Sequence, residues 1–318
     1  MFNTKVISSL VAALTFFGWL SWTAPAASGE APETWTATGS MGTSRRHAAI
    51  TQLPNGKTIV AGGVSTTGIN LDCNNNPGNC TFFATAELYD PITDTWASTG
   101  NNLTTGGRAL HTATFLGNGK VLIAGGWNGT TSLFSAELYD PATNMFSATI
   151  DTVLLTTTTM TGIRSQHTAT LLDNGKVLIA GGFGASDAVA PAELYDPNAG
   201  TFTATTGSMA QARNPHTATR LPSGKVLVVG GYTNAGALAS AELYDPTVLP
   251  NGTFSATGGL SQARGSHRAT FLTTGEVLVT GGNNGGPLSS TEIYDPNSGI
   301  GAFGAGPSLT QARQWIRL

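Results

Sequence analysis

The sequence predicts an all-β protein assembled from several copies of one four-stranded unit. Each copy contains four short strand-like segments separated by turn signals. After Glu33 no segment shows the apolar period of a helix, which excludes alternating strands and helices. The chain also repeats itself at 49- to 64-residue intervals, a spacing typical of stacked repeats. The intervals are measured between the histidines that open the copies, His47, His111, His167, His216 and His267.

The copy from Arg164 to Thr205 shows the four strand candidates most clearly. Its first, third and fourth candidates alternate polar and apolar residues, and its second is a continuous apolar run, as expected for a strand covered on both faces. We name the strands a to d in chain order; they begin near His167, Lys176, Ala192 and Thr201. Asn174-Gly175 is a hairpin signature and Asp196-Pro197 a turn signal. The copy therefore predicts an antiparallel sheet.

A glycine doublet follows strand b in every copy, as at Gly181 and Gly182. Glycine at this position permits a positive φ or a close backbone approach. A four-stranded unit also has two apolar faces and two open edges that it cannot cover alone, so radial stacking of the units is expected. Glu193 and Tyr195 belong to the next recurring pattern, Glu-x-Tyr-Asp on strand c, and a single aromatic follows on strand d.

This order of Gly-Gly, Tyr and then Trp or Phe resembles the kelch motif of the galactose-oxidase-like β-propellers. The resemblance implies a kelch β-propeller of four-stranded antiparallel blades with five complete repeats. The expected repeats span approximately residues 44–100, 108–150, 164–206, 213–257 and 264–306.

The two ends of the repeat array are compatible with two different arrangements of the ring. Residues 34–38 match a strand d and precede any strand a, while Ser308–Arg313 matches the segment that leads into strand a of another copy. One interpretation is a six-bladed ring with an incomplete sixth blade. The alternative is a closed five-bladed ring, because closure removes exposed sheet edges.

Residues 1–28 differ from the repeats and predict a secretory signal peptide, so that residues 29–318 form the propeller. The apolar run Val6–Trp22 is followed by small residues suited to cleavage; an uncleaved anchor is the alternative. We therefore expect a secreted, periplasmic or cell-surface protein. The net charge of −3 and the lack of a basic stripe make nucleic acid an unexpected partner.

The residues that carry the repeat are expected to be structural. Cys73 and Cys80, in a long b–c insertion, are expected to form a disulfide in an exported protein. The five histidines are expected to pack between blades, and a metal-binding ring is the less favoured alternative. The repeat glutamates are expected to pair bidentately with the repeat arginines; an arginine-rich mouth for anionic ligands is the alternative. These arginines are Arg108, Arg164, Arg213 and Arg264, with Arg45 and Arg46 near the first copy.

Binding is predicted on the face that carries the b–c and d–a connections. The two largest departures from the repeat, Val64–Thr85 and Ser147–Ile163, are expected there, and variable loops on a rigid scaffold commonly bind ligands. The candidate binding residues are Trp127, Phe183, Tyr232 and Asn283, each directly after a glycine doublet, together with the next residue, Asn284. The expected partner is a protein or a cell-surface glycan.

The sequence favours a non-enzymatic protein without a cofactor. The resemblance offers a copper oxidase as an alternative, since galactose oxidase holds copper with two Tyr and two His and cross-links one Tyr to Cys. An isomerase or lyase of the sialic-acid type, seen on some kelch propellers, is a further alternative. Neither is supported by an isolated pair of carboxylates or by a histidine outside the repeat.

Overall fold

The computed structural model describes residues 37–66, 73 and 79–314, and this part contains β-strands without an α-helix. All strands belong to one compact unit that begins at Thr38. The predicted signal peptide and the segment 315–318 lie outside the described residues. So does most of the predicted strand at 34–38, of which Ala37 and Thr38 are described and not in a strand. No helix in the described part is long and apolar enough to cross a membrane.

Five four-stranded antiparallel sheets form the blades, each in the order a-b-c-d. The innermost strands are β1 (Ala49–Gln52), β7 (Thr112–Phe115), β11 (Thr168–Leu171), β15 (Thr217–Arg220) and β21 (Arg268–Phe271). The b strands are β2 (Thr58–Ala61), β8 (Val121–Ala124), β12 (Val177–Ala180), β16 (Val226–Val229) and β22 (Val277–Thr280). The c strands are β5 (Ala86–Asp90), β9 (Ala136–Asp140), β13 (Ala192–Asp196), β19 (Ala241–Asp245) and β23 (Thr291–Asp295).

The outermost d strands complete each blade, and two of the b–c loops contain a short hairpin. The d strands are β6 (Thr95–Ser98), β10 (Met145–Ala148), β14 (Thr201–Ala204), β20 (Thr253–Ala256) and β24 (Ala302–Ala305). The hairpins are β3 (Val64–Thr66) with β4 (Cys80–Phe82) in blade 1, and β17 (Tyr232–Thr233) with β18 (Gly236–Ala237) in blade 4.

Strand b supplies the core because its side chains point alternately into two interfaces between blades. In blade 3, Val177 and Ile179 join an apolar cluster shared with blade 2, whereas Leu178 and Ala180 join one shared with blade 4. A strand buried on both faces needs an uninterrupted apolar sequence, which explains the run of four apolar residues. The blades are therefore held together mainly through strand b.

The blades form an arc with four apolar interfaces, between blades 1 and 2, 2 and 3, 3 and 4, and 4 and 5. The innermost strands follow the same order, with β1 beside β7, then β11, β15 and β21. Within the described residues, no apolar cluster joins blade 5 to blade 1. The structure therefore does not have the closed five-bladed ring that the sequence offered as an alternative.

Candidate functional site

The glycine doublets allow each blade to receive the segment that leads into the next one. Gly181 and Gly182 have φ values of 60° and 104°. A Cβ atom on Gly181 would lie 2.9 Å from the carbonyl oxygen of Arg213 and 2.7 Å from the ring of His216. Only glycine fits because both its φ and the space beside it exclude a side chain. The same backbone hydrogen bond recurs at each junction, as from Gly182 N to Arg213 O at 3.0 Å.

A buried arginine then crosses its own blade to the glutamate on strand c. Arg164 Nη2 donates to Glu193 Oε1 at 2.6 Å, and Nη1 donates to the carbonyl oxygens of Gly181 and Pro191. The other glutamate oxygen accepts the backbone N–H of Thr161. Burial lowers the pKa of Arg164, and Glu193 partly offsets this effect. The predicted bidentate geometry is wrong: each pair makes one charged contact. In blade 3 backbone groups bind Nη1 of Arg164 and the other oxygen of Glu193.

The same arrangement occurs in all five blades, as expected for charges that hold the repeat together. The pairs are Arg45–Glu87, Arg108–Glu137, Arg164–Glu193, Arg213–Glu242 and Arg264–Glu292. Their side chains are buried, so the geometry gives no support to an arginine-rich mouth for anions.

The repeat histidines connect neighbouring blades. The Nε2 atoms of His167, His216 and His267 lie about 3 Å from threonine hydroxyls on the preceding strand a. The threonines are Thr112, Thr168 and Thr217, respectively. Burial, followed by the charge of Arg264, lowers the pKa of His267 to about 3. This histidine is therefore neutral at physiological pH.

His47 is not equivalent to the other four histidines, which corrects the sequence alignment. Arg45, rather than Arg46, pairs with Glu87, so the position of His111 is taken by Ala48 in blade 1. His47 corresponds instead to Leu110, and both adopt a positive φ, 55° and 58°. In the first copy the glycine doublet lies one residue further from its histidine than in the other copies, and this difference is the sequence signal of the shift.

The innermost strands surround a channel of about 590 Å³. Its lining consists mainly of alanine, threonine and histidine side chains from all five blades, with Arg268 in blade 5. No carboxylate lines it, so the described residues do not place an acid and a base together there. No group of three or more potential metal ligands occurs in the part of the chain that the structure describes.

The predicted disulfide is confirmed in the b–c insertion of blade 1. Cys73 and Cys80 are joined with a Cα–Cα distance of 5.7 Å, and β3 and β4 form the base of the insertion. Arg46 Nη2 lies 3.6 Å from Cys73 Sγ. These are the only cysteines in the chain, so neither remains for the Tyr–Cys cross-link of a galactose-oxidase-like site.

Burial raises the pKa of the repeat tyrosine Tyr195 to about 12, which suits a core residue.

The candidate binding residues occupy equivalent places on the b–c side. Trp127, Phe183 and Tyr232 are half-buried, and each bridges the segment that leads into strand a of its own blade. Asn283 takes the same place in blade 5 and is half-buried, while Asn284 is exposed. The structure therefore repeats one aromatic or amide position at the end of successive blades.

Contacts between the b–c loops fix these positions, and sequence reasoning did not find them. Tyr232 donates its hydroxyl to Asn283 O at 2.9 Å, and its ring covers Gly265. Ser132 donates its hydroxyl to Phe183 O at 2.9 Å. Because these are contacts between loops of different blades, no local pattern predicts them. They hold Phe183 and Tyr232 in place, and both residues remain partly exposed.

The tip of the long d–a connection of blade 2 lies away from this set of loops, which corrects part of a second expectation, whereas its later part stays beside them through the hydrogen bond from Met160 N to Phe134 O. Its tip turns at Asp151, whose carboxylate accepts the N–H groups of Val153 and Leu154. Thr152 N donates to Ala199 O in the c–d turn of blade 3. The c–d turn lies at the opposite end of strand c from the b–c loop. The tip therefore packs at the outer edge of the neighbouring blade.

The repeated sheets and their contacts define a kelch-repeat β-propeller. A family model described as the Kelch motif matches residues 108–147, which correspond to blade 2. The solved structure titled "Structure of YjhT" is similar to this chain with a TM-score of 0.62. The sequences are 12% identical, and the match covers 86% of this chain and 87% of that chain. A search of curated proteins finds no sequence match. Because 303 solved chains resemble the structure, the fold alone does not select a ligand.

Proposed function

We propose that this protein is an exported, non-enzymatic binding protein that recognises a neutral glycan through its b–c loops. The observation that carries the proposal is the equivalent placement of Trp127, Phe183 and Tyr232, each partly exposed at the end of its blade. Flat aromatic faces with adjacent amide groups suit sugar rings, whose C–H faces stack while their hydroxyls form hydrogen bonds. Asn283 and Asn284 extend the row with amides.

The composition of the loops favours a glycan over a charged protein partner. The b–c loops of blades 2 to 5 span residues 127–133, 183–189, 232–238 and 283–288 and contain one charged residue, Asp187. The side chain of Asp187 is in contact with Asn234 of the neighbouring loop. A partner that relied on ion pairs would find few complementary charges here. The disulfide of the first b–c insertion supports the expectation of export.

The test compares two triple variants in binding to immobilised neutral glycans. Trp127→Ala, Phe183→Ala and Tyr232→Ala together should lower affinity by about 10-fold or more, because each lost stacking contact contributes about 0.5–1.5 kcal/mol. The control combines Ile92→Ala, Val248→Ala and Ile300→Ala, which removes exposed apolar residues from the opposite turns. This control should bind like the parent protein.

Unfolding curves must first show that both triple variants remain folded. A folded aromatic variant that keeps full affinity would contradict the placement of the binding surface. Binding of the parent protein to a protein partner, with no response to any neutral glycan, would contradict the glycan assignment.

A further inference from the structure

Blade 5 and blade 1 each present one uncovered face toward the opening of the arc. We call these two faces together the open flank. On strand a, the side chains at the first and third positions face the next blade, as Thr51 shows by donating to Ala113 O. At the third position the threonines of blades 2 to 4 are half-buried, whereas Thr270 in blade 5 is exposed. On the other side of the opening, Ile50 of blade 1 is 67% exposed.

The apolar residues of blade 5 confirm that this face lacks its usual cover. Leu278 takes the position of Leu122, Leu178 and Leu227, which are at most 1% exposed, yet it is only half-buried. Leu272 is likewise half-buried, although its four equivalents are at most 3% exposed. Those equivalents are Leu53, Leu116, Leu172 and Leu221. Blade 5 therefore carries the residues of an interface without the neighbouring blade that buries them elsewhere.

The segment leading into a further blade is already in place on blade 5. Arg313 N donates to Leu288 O at 2.9 Å, and Gly282 N donates to Arg313 O at 2.8 Å. Arg264 makes the same two contacts with blade 4, through Leu238 and Gly231. The backbone of residues 309–313 thus repeats the connection that precedes each complete blade.

The side chain of Arg313 indicates what is needed to complete the flank. The five equivalent arginines are buried and each contacts a glutamate on strand c of its own blade. Arg313 is exposed, and no carboxylate of the described residues contacts it. Leu309, whose equivalents Met160 and Met209 are 3% exposed, is also only half-buried. The missing contacts are those of one glutamate and one apolar sheet face.

We propose that the open flank binds a three-stranded a–b–c unit of the kelch repeat that enters directly after Arg313 and presents a glutamate to it. The unit would cover Leu272, Leu278 and Leu309 on one side and Ile50 on the other, as every interior blade does. A second copy of this chain does not meet this requirement, because all five repeat glutamates are already bound to their own arginines.

The test supplies such a unit by fusion. Residues 217–246, which form strands a, b and c of blade 4, are joined after Ile316 of the full chain in place of the last two residues. This junction keeps the three-residue spacing between Arg213 and His216. Thr270→Cys reports on the flank, because both native cysteines are in the disulfide and the new thiol is the only free one.

We expect the thiol to react readily in the unfused Thr270→Cys protein and about 10-fold or more slowly in the fusion, because an added blade covers it. The fusion should also unfold at a higher temperature. Glu242→Gln in the added copy, or Arg313→Ala in the fusion, should each reverse part of this protection. Arg313→Ala without the fusion should leave the unfolding temperature unchanged, since that guanidinium is exposed.

A second fusion, with residues 168–197 of blade 3, guards against failure of one particular graft. If neither graft protects the thiol while the five blades keep their far-ultraviolet spectrum, the proposal is wrong. It is also wrong if the unfused Thr270→Cys protein is dimeric by light scattering and its introduced thiol becomes reactive on dissociation. That result would assign the flank to a second copy.

Discussion

At the scale of single residues, each buried Arg–Glu pair connects the segment before strand a to the sheet of the same blade. Arg164 donates to Gly181 O at the end of strand b and to Pro191 O before strand c, and Glu193 accepts the backbone N–H of Thr161 ahead of the arginine. The pair therefore ties the lead-in segment to its own sheet. A buried pair adds little net stability compared with an apolar core, but removing one partner leaves a charge unpaired in the interior.

Glu193→Gln should destabilise the protein by about 3 kcal/mol, within the range for breaking a buried ion pair. Urea unfolding gives the change in the free energy of unfolding. The matched control is Glu276→Gln, which makes the same chemical change at a partly exposed site in blade 5. The control should change stability by less than about 0.5 kcal/mol. An unchanged midpoint for Glu193→Gln would show that the pair has no structural role.

His267 makes stability depend on pH in a direction that follows from its lowered pKa. The pKa is about 3 in the folded protein and about 6.5 in the unfolded chain. Between these values the unfolded chain binds more protons, so the free energy of unfolding falls as the pH decreases from 6.5 toward 3. Above pH 6.5 the effect is absent. His267→Gln should flatten this part of the stability profile, and an equally steep profile in the variant would contradict the assignment.

The sequence predicted the repeat and its strands because those depend on local patterns, but it misplaced residues whose roles depend on neighbouring blades. His47 looked equivalent to His111, although the arginine that contacts Glu87 shows a shift of one residue. The tip at Thr152 was assigned to the b–c side because strand alternation does not describe how far a loop turns outward. Contacts such as Tyr232 with Asn283 join different blades, and no spacing within one copy encodes them.

At the scale of the elements, four blades share an ion pair between the start of strand b and the c–d turn, and the fifth lacks it. The pairs are Lys57–Asp90, Lys120–Asp140, Lys176–Asp196 and Lys225–Asp245. In blade 2 the pKa of Asp140 is lowered first by the N–H of Ala142 and also by Lys120. Blade 5 has Glu276 at the lysine position, near Asp295 on the adjacent strand.

Glu276→Lys should complete this pattern and raise the free energy of unfolding by about 0.5 kcal/mol, the usual scale for a surface ion pair. The gain should disappear in about 1 M salt, because exposed charges are screened. Lys225→Glu is the reciprocal variant and should lower stability by a similar amount. A gain that persists at high salt would mean that the effect is not electrostatic.

At the scale of the whole molecule, stability should be greatest in the middle of the arc, because repeat arrays are held together by contacts between neighbours. Blades 2 to 4 have an apolar interface on each side, whereas among the described residues blades 1 and 5 share such an interface with one neighbour. We expect amide hydrogen exchange to be slowest in β12 of blade 3 and faster in β2 and β22, since local opening follows the number of packed contacts.

Two alanine variants at equivalent positions measure this difference directly. Leu178→Ala opens a cavity between blades 3 and 4 and should cost about 2–5 kcal/mol. Leu278→Ala removes the same atoms from the open flank, where solvent replaces them, and should cost about 1 kcal/mol or less. Equal losses would mean that the flank of blade 5 is packed like an interior interface. The contrast therefore tests the arc independently of any ligand, because the two leucines hold equivalent register positions and only Leu178 is covered by a following blade.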